Sequence, residues 1–193
     1  MPVRTRVAAA GAALAALASQ AGGARADVSI IGNGLAAECS DAARAMSANQ
    51  NVRAEDVQLC TLALDGEALS PHETAATLVN RGVLYLGNGS YDAALHDFDA
   101  ALRIEPNLAE AHVDRGAALL GKEQHAAAVD EINKGLALNP TEPEKAYFNR
   151  AVAKERQGDV KGAYFDYRKA LELKPDWDLP KTELTRFHVV DTR

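Results

Sequence analysis

Aromatic residues are scarce in this chain: four Phe, five Tyr and one Trp, 5% of 193 residues. Sheet proteins draw on aromatic and β-branched side chains, so the shortage argues against a β-rich fold. Basic residues are outnumbered, 21 Lys and Arg against 27 acids, for a formal net charge of −6. Phosphate backbones demand a cationic surplus, and nucleic acid is therefore an unsuitable partner. No uncharged apolar run reaches the roughly 20 residues that cross a bilayer, so no membrane span is expected. There are two cysteines and no C-x-x-C, and the five histidines form neither H-E-x-x-H nor an i,i+4 pair. G-x-S-x-G and a complete P-loop are also missing. No catalytic set, metal set or cofactor set is legible, and the chain reads as a non-enzyme.

What is abundant is alanine, with 39 residues. Alanine is the strongest helix former and lets helices approach closely. The fold class expected is all-α.

The first 26 residues read as a signal peptide. Arg4 and Arg6 precede an uncharged stretch, Val7–Ala18, and Ala24-Arg25-Ala26 supplies a small-x-small site. This predicts a periplasmic or secreted protein, more acidic after loss of three arginines. In an oxidising compartment a lone cysteine pair is read as a disulfide. Cys39 lies in the helical run Leu35–Met46 and Cys60 in Arg53–Leu64, on either side of a polar turn near Asn49. Residues equidistant from the turn of an antiparallel hairpin meet, so residues 27–73 are expected to form a disulfide-linked helical hairpin.

Val28–Ala37 carries Gly32-Asn33-Gly34-Leu35-Ala36-Ala37, a G-x-G-x-x-A turn that resembles a dinucleotide fingerprint. No second parallel strand follows, so glycines ahead of a first helix are the simpler reading.

From residue 74 to 177 the chain repeats with a spacing near 34. Gly82, Gly116 and Ala151 align, as do Ala94, Ala128 and Ala163; Ala101, Gly135 and Ala170; and Pro106, Pro140 and Pro175. These columns resemble the tetratricopeptide repeat, with units at 75–108, 109–142 and 144–177. The resemblance implies a right-handed superhelical array of antiparallel helix pairs. Residues 178–193 then form a capping helix over the open end. Small residues on each A helix are expected to oppose the small residues of its B helix.

The seventh position is Arg81, Arg115 and Arg150, and the twenty-third is Asp97, Glu131 and Asp166. Antiparallel helices put these at matching heights, which predicts three structural Arg–carboxylate pairs.

By the resemblance, helix-A positions two, five, nine and twelve line a concave groove for a protein or peptide partner. In this chain they are Ala76, Val79, Val83 and Leu86; Glu110, Val113, Ala117 and Leu120; and Lys145, Phe148, Val152 and Glu155. Val79 and Val83 stand where chaperone-binding members carry Lys and Asn. The expected function is an exported adaptor or scaffold. A redox or nucleotide-dependent protein using the cysteine pair or the G-x-G turn is the competing reading, and the oligomeric state stays open.

Overall fold

A computed structural model of the chain describes residues 34–49 and 52–187. The leader reading (1–26), Val28–Asn33 and the last six residues, His188–Arg193, lie outside them.

The described residues form an all-α helical-repeat solenoid without strands. Its helices are α1 (Leu35–Asn49), α2 (Ala54–Gly66), α3 (Pro71–Gly87), α4 (Tyr91–Ile104), α5 (Ala109–Gly121), α6 (His125–Ala137), α7 (Pro143–Arg156), α8 (Val160–Leu173) and α9 (Asp178–Leu184). Local chemistry sets several boundaries. Ser70 Oγ accepts from the Glu73 amide at 3.2 Å while the Ser70 amide donates to Glu73 Oε2 at 2.8 Å, a reciprocal cap that starts α3. Pro71 and Pro143 occupy first turns, where a missing N–H costs nothing. Helices α4 and α8 stop ahead of Pro106 and Pro175.

Each pair α3/α4, α5/α6 and α7/α8 is held by a close approach at a small residue. A Cβ on Gly82 would meet the Phe98 ring at 2.5 Å, and one on Gly116 would meet Ile132 Cγ1 at 2.5 Å. In the third unit Ala151 packs with Ala163 and Tyr167. The small A-helix residue therefore receives the bulky B-helix residue in addition to the small one, a Cβ on Gly116 falling 3.1 Å from the Ala128 carbonyl and Ala151 packing with Ala163. Within the second unit the relation also runs the other way: Gly135 of α6 receives Val113 of α5, whose Cγ2 is 2.5 Å from where a Cβ would be.

Consecutive A helices also touch one another, α3 with α5 and α5 with α7. On the B-helix side an open gap of about 310 Å³ separates α4 from α6, between Leu95 and Asp99 on one and Ala127 and Lys134 on the other. The array thus curves with its A helices on the inside.

Both ends are closed by atypical elements. At the start, α1 and α2 pack on α3 around Cys39 and Cys60, whose sulfurs are at bonding distance, with Met46 and Leu84. At the far end Trp177 stacks on Phe148 with ring centroids 4.9 Å apart, and Leu184 and Phe187 cover Ala151 and Tyr167. The terminal helix spans only Asp178–Leu184, shorter than the capping segment expected over 178–193.

Candidate partner-binding groove

The arginine column is the firmest part of the framework around the groove. Arg81 donates from Nε to Asp97 Oδ2 at 2.7 Å and from Nη2 to Oδ1 at 2.9 Å. Arg150 repeats this two-pronged contact on Asp166 at 2.8 and 2.7 Å. In the second unit Arg115 places both nitrogens on Glu131 Oε2, because Lys134 holds Oε1 at 2.7 Å. Burial alone would raise the Glu131 pKa; hydrogen bonds from Lys134, His112 and Arg115 outweigh it and bring the pKa down to about 2.

The remaining nitrogen of each guanidinium reaches back to the preceding B-type helix. Arg81 Nη1 donates to Thr61 Oγ1 at 3.1 Å, Arg115 Nη1 to Asp99 at 2.6 Å and Arg150 Nη1 to Asn133 at 2.7 Å. One side chain therefore joins three helices. Thr61 fills the place of Asp99 and Asn133, so α1 and α2 act as a degenerate unit ahead of the first repeat. With each guanidinium engaged this way, the column holds the array together and presents no row of free cations to an anion.

Two further residues in these columns carry contacts that repeat spacing did not indicate. His112, in a packing column, bonds Glu131 Oε2 through Nδ1 at 2.9 Å and the Pro106 carbonyl through Nε2 at 3.0 Å. Lys154 departs from Tyr85 and Leu119 in the eleventh column, and it reaches Asp166 at 2.8 Å. A charged residue at a position otherwise apolar was the available signal.

The groove positions divide into three groups. Val113 is only 7% exposed and packs with Ile132 and Ala146. Phe148 is sandwiched by Tyr167, at 5.5 Å, and Trp177. Val113 is therefore a core residue, which corrects its assignment to an open strip, whereas Phe148 is half-buried with its ring flanked on two sides. On the third unit Val152 lies under Leu184 and Phe187, and Glu155 accepts Arg186 at 2.9 and 3.0 Å and the Tyr167 hydroxyl at 3.0 Å. The C-terminal segment thus covers that part of the face. Ala76, Val79, Val83 and Leu86 on α3, with Glu110, Ala117 and Leu120 on α5 and Lys145 on α7, remain half-buried. Among them sits Asp114, half-buried and without a hydrogen-bond partner among the described residues. Desolvation pushes its pKa up to about 7; Lys145 opposes this, while Glu110 and Glu142 add to it.

The competing chemistry meets two obstacles. Cys39 and Cys60 are fully buried, and neither is a free thiol. The start of α1, where the G-x-G turn would offer amides to a phosphate, is taken by Glu67. Its Oε1 accepts from the Leu35 amide at 2.6 Å and its Oε2 from the Ala36 amide at 3.1 Å.

Comparison with known proteins decides the family. A tetratricopeptide repeat family model matches residues 75–108 and a second matches 144–177. The chain is a tetratricopeptide repeat protein. The first such domain of human RPAP3 is 28% identical, with a TM-score of 0.56 over 61% of this chain and 91% of that one. The first repeat domain of Spaghetti (RPAP3), bound to the HSP90 peptide SRMEEVD, is 27% identical, with a TM-score of 0.56 over 60% and 93%. MamA from Desulfovibrio magneticus, 20% identical with a TM-score of 0.59 over 80% and 83%, shares the fold. No curated protein matches the chain.

Tetratricopeptide arrays are scaffolds for protein interaction, and this chain has that coarse role. The matched windows coincide with its first and third units. Its second unit, 109–142, has the same arginine-to-carboxylate pairing across its two helices, and its Gly116 makes the close approach that Gly82 makes in the first. Among the described residues of this tetratricopeptide protein no group of three or more His, Cys, Asp or Glu could hold a metal. Nor is any helix there long and apolar enough to cross a membrane.

Proposed function

We propose that this chain is an exported adaptor that holds a partner segment on the inner face of its first two repeats. The observation that carries the reading is the half-buried strip of Val83, Leu86, Ala117 and Leu120, on a part of the curve that the C-terminal segment does not reach. An apolar strip on an acidic protein is a partner site. The leader-like start and the bonded cysteine pair support a periplasmic or secreted location.

Partner chemistry differs from that of the structural relative. SRMEEVD is an acidic peptide. Here Val79 and Val83 offer no cation, and Glu110 would repel a carboxylate. An apolar segment, extended or helical, bearing Lys or Arg matches this face better.

A photo-reactive residue at Leu120 is the direct test. Cross-linking in the intact cell envelope should capture one dominant protein, and Leu120→Glu should weaken its binding about tenfold or more with unchanged melting. Undiminished binding by Leu120→Glu would move the site to another face. Cell fractionation with N-terminal sequencing tests export: a mature chain beginning at Asp27 is expected, and retention of Met1 in the cytosol refutes it.

A further inference from the structure

We propose that copies of this chain associate head to tail, the acidic outer face of α2 in one copy seating on the basic, aromatic groove beside α8 in the next. The two surfaces lie at opposite ends of the array. At the C-terminal end a groove of about 820 Å³ is lined by Tyr164, Phe165, Leu184 and Phe187 with Arg168 and Lys169 at its edge. Phe165 is 53% exposed. Lys169 is paired with Glu172 at 2.9 Å, but Arg168 lies over the Tyr164 ring at 5.8 Å and meets no carboxylate among the described residues. A half-exposed phenylalanine beside an unpaired arginine is a surface that gains from being covered by an acidic, partly apolar one.

The other end supplies that surface. On α2 the exposed residues Glu55, Gln58, Leu62 and Asp65 follow the three-and-four spacing of a single helix face. Leu62 is 47% exposed, and neither Glu55 nor Asp65 has a basic partner among the described residues. The polarity extends beyond these side chains. Residues 34–67 hold six carboxylates and two arginines, whereas 144–187 hold ten basic and eight acidic residues. Like ends repel and unlike ends attract, which selects head-to-tail over tail-to-tail contact. Such a contact uses two different patches and does not close on itself, so it builds short chains of copies instead of a fixed dimer.

Sedimentation velocity on the purified full chain tests this. The weight-average mass should rise with concentration, and raising salt from about 50 to 500 mM should weaken association about tenfold, since exposed charges are screened. Phe165→Glu and Leu62→Glu, both at exposed sites, should each leave circular dichroism unchanged and abolish growth. Mixing the two variants should restore a heterodimer and nothing larger, because one intact head then meets one intact tail. A chain that stays monomeric throughout overturns the proposal, including the case where its own residues 188–193 or another protein occupies the groove. So does association that survives Leu62→Glu, which would mean tail-to-tail contact.

Discussion

Removing Arg81 should damage the fold more than removing either of its repeat equivalents. Asp97 is 1% exposed and takes two hydrogen bonds from Arg81. Among the described residues its only other basic neighbour is His96, 3.4 Å away and itself largely exposed. Arg81→Met keeps an apolar stem of similar length and deletes the charge, stranding a buried carboxylate. Breaking such a pair from one side costs about 3–5 kcal/mol. For a chain of this size that corresponds to roughly 6–20 °C in melting temperature. In Arg115→Met, by contrast, Glu131 keeps Lys134 and His112, and in Arg150→Met, Asp166 keeps Lys154. Those two variants should lose about 1–2 kcal/mol each, near the net value of a charged hydrogen bond. Urea unfolding at pH 7 followed by helical circular dichroism measures all three. Arg81→Met/Asp97→Leu should recover most of the loss, because two apolar groups replace the pair without an orphaned charge. Equal losses in all three variants, or a double variant no better than Arg81→Met, would refute the argument that backup cations set the order.

Other outcomes follow from the same contacts. Reducing Cys39–Cys60, which closes a 21-residue separation, should destabilise the N-terminal hairpin by about 3 kcal/mol while most helical signal persists, as read by melting with and without reductant. Gly135→Ala should lose about 1–3 kcal/mol despite alanine's helix preference, since its Cβ would meet Val113 and the Ala109 carbonyl; a more stable variant in a urea melt refutes the contact. Phe148→Ala should cost about 3–5 kcal/mol in the same melt by emptying the space between Tyr167 and Trp177, with partner capture falling only as the fold does. Asp114, raised to about 7, holds a proton in the folded chain that the unfolded chain has already released, so stability falls as pH rises from its ordinary 3.8 toward 7. Asp114→Asn should match the parent below about pH 4 and exceed it at pH 8 in thermal melts. Glu131 has the opposite sign: its contribution is present above its ordinary 4.5 and is lost as pH falls toward about 2, which an acid titration of Glu131→Gln against the parent will show.

Periodicity by itself determined the class of fold here. A spacing near 34 with small residues and prolines in register leaves little choice but stacked helix pairs, and the aligned arginine and acid columns pointed to partners across each pair. These are local or one-helix-away relations, which a repeating pattern encodes directly. Tertiary structure decided the rest, because it depends on what neighbouring elements cover. Val113 and Phe148 share a column with Val79, yet Gly135 makes room for one and Trp177 closes over the other. Glu67 caps a helix that begins 32 residues earlier, and Thr61 stands in for a repeat position that no spacing marks. Helical phase tells which way a side chain leaves its own helix. Whether that direction ends in solvent, in a neighbouring unit or under the C-terminal segment is fixed by long-range packing, where distant residues contribute the opposing surface.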